Sequence, residues 1–363
     1  MYVNILVAAL LLLAYSAPYI DPSKILFPAF LGLAYPFLLL ANLVFAFFWA
    51  IRFKKEILIS LLVILLGWNH LMNYLPMNLG SKNNNSENIK AQHFKVMSYN
   101  VRNFDLYNWS KKDDSRENIY KLINGESPAI LCVQEFYTTN RIGYRERDVR
   151  RKLGSYPHYS IYYGIRSGPN TGVGIATFSA YPILKTSRIP FDNSLNQAVY
   201  TDLLIQNDTL RVFNIHLQSI RFGQDSYNFL DTMSLKYSNR QLREAKKIGI
   251  YLKDAFIQRA AQARIIQNYL KESPYPVLVM GDFNDTPLSF AYRKISRGLH
   301  DAFRRVGKGL GNTYAGDLPS FRIDFILYSE ELEASRFSRI KSEFSDHFPI
   351  IAHLGWSADP ISE

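Results

Sequence analysis

Hydrophobic positions fall into two textures along the chain. Up to about residue 75 they form long runs. Residues 3–19 are nearly all apolar, and residues 25–51 are apolar throughout, with Pro28 and Pro36 inside. Residues 57–75 start apolar and then mix with Asn69, His70 and Asn73. A bilayer takes roughly 20 apolar residues per helix, so this texture predicts about three transmembrane helices. The first run lacks a basic start and is followed by more apolar helix, so it is not read as a cleaved signal. Trp68 and Tyr74 suit an interfacial belt. The basic loop Arg52-Phe53-Lys54-Lys55 should face the cytoplasm, which puts the N-terminus inside and everything after Leu75 outside. Asn42 and Ser60 read as helix-packing contacts, and the absence of charge within the runs argues against a pump or channel.

Beyond residue 90 the apolar runs shorten to strand length. Residues 94–102, 129–133, 159–163, 172–179, 277–280, 323–328 and 350–354 read as strands, with another starting at Tyr181-Pro182-Ile183. Residues 199–205 and 209–215 read as a hairpin, and Gly168-Pro169-Asn170 as a turn. Helical spacing marks residues 115–124, 260–270 and 291–297. Thr286-Pro287 reads as an N-cap and first helical residue. Residues 218–258 are polar, aromatic and helical, and look like an insertion that shapes access to the substrate. No repeat of 20–50 residues is present in the sequence. Irregular alternation with many hairpin-like neighbours predicts two mixed sheets packed face to face, with helices outside. The division expected is a membrane segment over 1–78, a polar linker over 79–92 and a catalytic domain over 93–357.

Composition narrows this picture. The chain has 363 residues, 48% hydrophobic and 14% aromatic, enough for a large core. Its net charge is +11, and the first 90 residues hold only six Lys/Arg and three Asp/Glu, so most of the surplus belongs to the second part. A basic domain favours polyanions or anionic membrane surfaces. Cys132 is the one cysteine, which excludes an internal disulfide, and its apolar neighbours make it a buried structural thiol.

The candidate chemistry sits where strands end. Asn100, Glu135, His216, Asp282 with Asn284, Asp324, and Asp346 with His347 each follow or flank an apolar run. Taken singly, each has a plain explanation: an Asx turn after Met280, an exposed loop carboxylate at Glu135, a hydrogen-bonded core histidine at His216. Taken together, acids, amides and imidazoles at every conspicuous strand end suit phosphoester hydrolysis. Carboxylates hold a hard cation through oxygen, and an imidazole backed by a carboxylate is a general base near neutral pH. No Cys/His cluster is spaced for zinc, and neither a P-loop nor a Gly-x-Ser-x-Gly elbow is present.

The ordered set Ser98-Tyr99-Asn100, Gln134-Glu135, Asn214-Ile215-His216-Leu217, Gly281-Asp282-Phe283-Asn284, Arg322-Ile323-Asp324 and Ser345-Asp346-His347 resembles the endonuclease/exonuclease/phosphatase (DNase I-like) superfamily over about residues 94–354. The resemblance implies an α+β, four-layer αββα sandwich and a Mg²⁺-dependent hydrolase, with Mn²⁺ as an alternative metal. It implies Glu135 and Asn100 as metal ligands, with Asp346 at the metal or just behind it. It implies Asp282 and Asn284 positioning water and phosphate, His347 as the general base oriented by Asp324, and His216 on the phosphate. His216 departs from the apurinic branch, which has no histidine there. Two substrate classes follow as expectations: nucleic acid, from the basic surplus, and membrane phospholipid or a sphingomyelin-type headgroup, from the tether. A non-enzymatic binding protein is the competing class, opposed by the intact motif set. No protein partner is inferred.

Overall fold

The computed structural model describes residues 1–78, 89–110, 112, 114–154, 156–168, 171–192, 194–220, 239–316 and 320–357. Two six-stranded sheets dominate. One has the order β11-β12-β1-β2-β4-β3 and the other β5-β6-β7-β8-β10-β9. In the first sheet the strands are β1 (Ile89–Asn100), β2 (Ile130–Thr138), β3 (His158–Gly168), β4 (Thr171–Ser179), β11 (Leu332–Arg339) and β12 (Ile350–Ser357). In the second they are β5 (Ile183–Ile189), β6 (Gln197–Ile205), β7 (Asp208–His216), β8 (Val277–Asp282), β9 (His300–Asp301) and β10 (Asp324–Tyr328). Each sheet is mixed: β1 and β2 run parallel, as do β7 and β8, while the other pairs are antiparallel.

Strand alternation sorts the side chains into layers. Val96, Cys132, Val212, Met280, Ile326 and Ala352 point between the sheets into one buried cluster. Their strand neighbours point outward. Met97, Tyr99, Leu131 and Val133 meet the helices Ser115–Glu126 and Glu146–Lys152, through Ile119, Ile123 and Val149. Phe213, Ile215, Val279 and Phe325 meet the helices Asn239–Lys271 and Phe290–Ser296, through Ala263, Ile266 and Ile295. The result is helix, sheet, sheet, helix, the two-sheet α+β sandwich anticipated. Burying one such apolar side chain contributes about 1.5–3 kcal/mol, so the three clusters supply the main cohesion. Cys132 is fully buried in the inner cluster, and burial pushes its thiol up to about 12, so it is structural.

Several elements differ from the periodicity reading. The helix after β8 starts beyond Thr286-Pro287, because Ser289 is its N-cap and accepts a hydrogen bond from Tyr292 N. Strand β11 and the helices Glu146–Lys152 and Ala302–Val306 were not anticipated. The helical stretch 260–270 is the end of one 33-residue helix, Asn239–Lys271. Pro169 and Asn170 of the expected turn, the linker residues 79–88, and residues 221–238 of the expected insertion lie outside the described residues.

The first 78 residues form a helical bundle of α1 (Tyr2–Ala14), α2 (Phe27–Leu33), α3 (Tyr35–Ile51) and α4 (Ile57–Leu66), followed by the short turn of helix α5 (Trp68–Leu71). The run 25–51 is not one helix. It breaks between α2 and α3 with a bend of 66°, and no single helix among the described residues is long and apolar enough to cross a membrane. Pro36, in the first turn of α3, has no N–H to continue the α2 ladder. Asn42 and Ser60 are packing contacts as expected. Ser60 accepts from Asn4 Nδ2 at 2.8 Å, and Asn42 Nδ2 donates across to Val7 O of α1 at 3.4 Å as well as to Leu38 O in its own helix at 2.9 Å. The bundle rests on the sandwich. Leu288 joins the bundle core, Phe30 meets Phe256 edge-on with centroids 5.4 Å apart, and Arg264 pairs with Asp21.

Candidate active site

At one end of the sandwich the inward positions change from apolar to polar. Ser98 and Asn100 follow Val96, Gln134 follows Cys132, Asn214 and His216 follow Val212, and Asp282 follows Met280. A buried amide seam closes the apolar core there: Gln134 Nε2 donates to Asn214 Oδ1 at 2.8 Å, and Asn214 Nδ2 to Ala176 O at 2.9 Å. Beyond it, strand register lines up the chemistry. His216 pairs with Asp282 across β7 and β8, and Asp282 with Asp324 across β8 and β10. Three site residues on three adjacent strands therefore share one row.

That row depends on Gly281. Its φ is +147°, and a Cβ there would sit 1.9 Å from Ile215 O on the neighbouring strand. Only glycine lets β8 lie against β7 at this level. On the opposite sheet Glu135 has φ +52° at an irregularity in the β2–β4 pairing, a bulge that re-aims its side chain. Asn284 also has a positive φ, +52°. The segment forms an Asx turn: Asn284 N donates to Asp282 Oδ1 at 2.8 Å, and Asn284 Nδ2 lies 3.2 Å from Asp282 Oδ2.

The sequence-predicted residues converge. Asn100 Nδ2 donates to Asp282 Oδ2 at 3.0 Å and to Glu135 Oε1 at 3.3 Å, so one amide spans both sheets. His347 Nδ1 faces Asp324 Oδ2 at 2.9 Å, which leaves Nε2 turned towards Asp282 Oδ2, 3.7 Å away. His216 Nε2 is 3.6 Å from Asp282 Oδ2 and 3.9 Å from Glu135 Oε1, so its carboxylate neighbours come from both sheets. Asp346 lines the same cavity as Glu135, Asp282 and His347 and is met by Arg102 Nε at 3.2 Å.

Supporting groups fix these positions. Thr313 Oγ1 accepts from both Ile323 N and Asp324 N at 3.0 Å. Ser345 Oγ donates to Asn100 O at 2.8 Å, tying the Ser-Asp-His loop to β1. Arg259, fully buried on the long helix, bonds Asn284 O and lies 3.2 Å from Asp285. The sequence reading missed Arg102, Arg259 and Thr313. Arg259 falls in a stretch of mixed basic and apolar residues with no motif to mark it, and Thr313 lies between the strands that were identified.

The electrostatics are those of crowded acids. Burial, then the charges of Asp346 and Asp282, push Glu135 up to about 7. Burial also raises Asp282, with Asp324 adding to it. Burial works against charge on His347, but Asp324 and Asp282 hold its imidazole well above the usual range. Asp282, Asp324 and His347 bring three ligand atoms within 4.8 Å of one another, a candidate metal site. The donors are oxygens and imidazole with no thiol, which suits a hard divalent cation. Clustered carboxylates bridged by an amide also fit a cation better than they fit each other.

A two-sheet sandwich with an amide, carboxylates and a histidine–aspartate pair at one end defines a phosphoester hydrolase. Residues 97–347, more than half of the chain, match the profile of the Endonuclease/Exonuclease/phosphatase family. The chain belongs to that family and is a hydrolase acting on phosphoester bonds. Residues 1–74 match a second family, described as a domain of unknown function (DUF8431). No curated protein matches the chain in sequence. Among solved structures, an endonuclease/exonuclease/phosphatase family protein from Bacteroides thetaiotaomicron is similar, with TM-score 0.52 and 20% identity over 73% of this chain and 98% of its own. An endonuclease/exonuclease/phosphatase from Beutenbergia cavernae has TM-score 0.53 and 15% identity over 73% of this chain and 72% of its own. D. rerio TDP2 complexed with single strand DNA product has TM-score 0.50 and 16% identity over 73% of this chain and 99% of its own. At these identities the likeness concerns the fold.

Proposed function

We propose that the chain is a membrane-anchored, divalent-metal-dependent phosphodiesterase, with Mg²⁺ as the metal and Mn²⁺ as a substitute. The observation that carries this reading is the contact between His347 and Asp324 beside the carboxylates that Asn100 bridges. Glu135 and Asn100 would hold the metal, with Asp346 beside them; in this reading Asp282, Asp324 and His347, whose ligand atoms also gather within 4.8 Å of one another, act on water and phosphate and not as the metal's ligands. When bound, the metal neutralises phosphate charge and acidifies a water. The chain's own groups do the rest. His347 Nε2 takes the proton of the attacking water while Asp324 fixes the ring through Nδ1 and stabilises the imidazolium. Asp282 and Asn284 orient water and phosphate, and His216 binds a phosphate oxygen. The carboxylates of Asp324 and Asp282 favour the imidazolium form of His347.

The anchor is the bundle of residues 1–78, with the catalytic domain at 93–357. Large apolar side chains such as Leu6, Leu13, Leu43, Phe47, Leu58 and Leu65 are exposed around the bundle, while its interior is also apolar. A helix apolar on all sides belongs in lipid or in a larger core. The basic loop at Arg52–Lys55 would face the cytoplasm and the sandwich the outside. Nucleic acid is one substrate reading, favoured by the basic surplus and by the single-strand DNA product held by D. rerio TDP2.

The test is hydrolysis of bis(p-nitrophenyl) phosphate by the full chain with Mg²⁺. Turnover should vanish with EDTA and fall by about 10²–10⁴-fold in His347→Ala, with the circular dichroism unchanged. Equal turnover by wild type and His347→Ala would remove His347 as the base, and no turnover by either would end the phosphodiesterase reading. Nicking of supercoiled plasmid, run in parallel, tests the nucleic-acid arm.

A further inference from the structure

The cavity over the candidate active site has two unlike sides. Glu135, Asp282, Asn284, Asp346 and His347 line one side, within a space of about 510 Å³. The same cavity is lined from outside the family domain by Phe30, Leu33, Ala34 and Phe37 of the N-terminal bundle, and from within it by Ile248 and Leu252 of the long helix. The 66° break between α2 and α3 falls at this wall, with Leu33 ending one helix and Ala34 preceding the next. The bend therefore presents apolar side chains to a hydrolytic site.

The wall does not stop at the cavity. Phe37 is 55% exposed, and Leu40, Val44 and Phe47 follow it on the same face of α3 at helical spacing, all exposed. An apolar track thus runs from the outer surface of the bundle to within the cavity that holds His347. At the polar end one cation has donor capacity to spare. Arg259 is fully buried, and its Nη2 has no hydrogen-bond partner, although the same side chain engages Asp285 and Asn284 O. Arg102, the other arginine of the cavity, is met by Asp346 and lies over the Trp109 ring at 4.7 Å. Among the described residues the cavity therefore offers a place for one phosphate, not the row of free cations that a polyanion's backbone requires.

We infer that the substrate is an amphiphilic phosphoester, a single phosphate carrying a long apolar chain, and that the N-terminal bundle is a specificity-determining part of the active site. This rests on the phosphodiesterase reading above and adds to it the class of substrate. The phosphate lies at the Arg259 and carboxylate end, the chain lies against Phe30, Leu33 and Phe37, and the exposed face of α3 is the route from the bilayer. A buried apolar contact that forms with the chain and not with water accounts for the selection.

The experiment compares p-nitrophenyl dodecyl phosphate with p-nitrophenyl methyl phosphate, which share a leaving group, using the full chain in nanodiscs with empty discs as background. Wild type should favour the dodecyl ester in kcat/KM by at least about tenfold, since several methylenes are buried. Phe37→Asn and Leu252→Asn, on separate elements, should each bring that ratio down towards one. A wild-type ratio near one, with both esters cleaved, overturns the inference and leaves the phosphodiesterase reading standing. A second readout is retention of dodecyl phosphate, in excess of methyl phosphate, by wild-type discs over Phe37→Asn discs. That excess supports the wall even if neither ester is cleaved, an outcome that would count against the phosphodiesterase reading alone. Equal retention by wild type and variant overturns the inference.

Discussion

Two sets of buried carboxylates in this protein are treated in opposite ways. Asp301, in the edge strand β9 of the second sheet, is saturated: Arg322 grips it with two bonds of 3.0 and 2.7 Å, Tyr292 OH donates at 2.7 Å, and Phe303 N and Arg304 N cap it from the following helix. Asp202 is held similarly by Arg211 through bonds of 2.7 and 2.9 Å. At the candidate site, Asp282, Glu135 and Asp324 face amides, imidazoles and each other, and burial raises Asp282 and Glu135. A buried charge met by a guanidinium fork is a structural joint. Like charges gathered without one mark a place prepared for a cation or a reacting phosphate. Arg322 stands next to Ile323 and Asp324 in sequence, so one short segment serves both kinds of site.

Substitutions should separate the two. The largest effect is expected in rate: Asp324→Ala should cost about 10²–10⁴-fold in turnover of bis(p-nitrophenyl) phosphate while leaving the denaturation midpoint near that of wild type. Asp301→Ala should do the reverse. It leaves Arg322 buried and unpaired, and should lower stability by about 3–5 kcal/mol in denaturant titrations. Replacing Asp202 and Arg211 together by Leu and Met should cost far less than Asp202→Leu alone, under about 1 kcal/mol, because no charge is then stranded. If Asp301→Ala lost turnover at unchanged stability, the division between the two sets would fail.

Gly281→Ala comes next. The added Cβ meets backbone at Ile215 O, so β8 must move from β7. The cost should be about 1–3 kcal/mol in stability. The loss of turnover should exceed the share explained by unfolding, because the row of His216, Asp282 and Asp324 is displaced.

Sequence made the polar strand ends legible because several site residues follow an apolar run whose alternation fixes their face, and Asp324, Asp346 and His347 stand just at or before one. Asn100, His216 and Asp282 are found where that alternation puts them, on inward positions. Glu135 reaches the same cavity for a different reason, a bulge with positive φ that pattern alone does not reveal. The edge strand β11 escaped notice because its central residues, Glu333, Ser335 and Arg336, are polar as an edge allows. Arg259 was hidden because its role depends on a helix returning over Asn284, a long-range contact with no local signature. The apolar wall was read only as membrane segment. Hydropathy gave the composition of residues 25–51 and not the bend that turns Phe30 and Phe37 towards the site.

The smallest and most direct effect concerns Glu135. Without metal, Glu135→Gln removes a like charge from the crowded cluster and should raise stability by about 1 kcal/mol, as substitutions at strained active sites commonly do. With saturating Mg²⁺ the wild type should gain stability by mass action and the variant should not. The decisive measurement is therefore the denaturation midpoint of wild type and Glu135→Gln in EDTA and in Mg²⁺. The expected result is a reversal of order between the two conditions. A variant less stable than wild type in EDTA, together with no response of either protein to Mg²⁺, would contradict the reading of this cluster as a metal-assisted hydrolytic site.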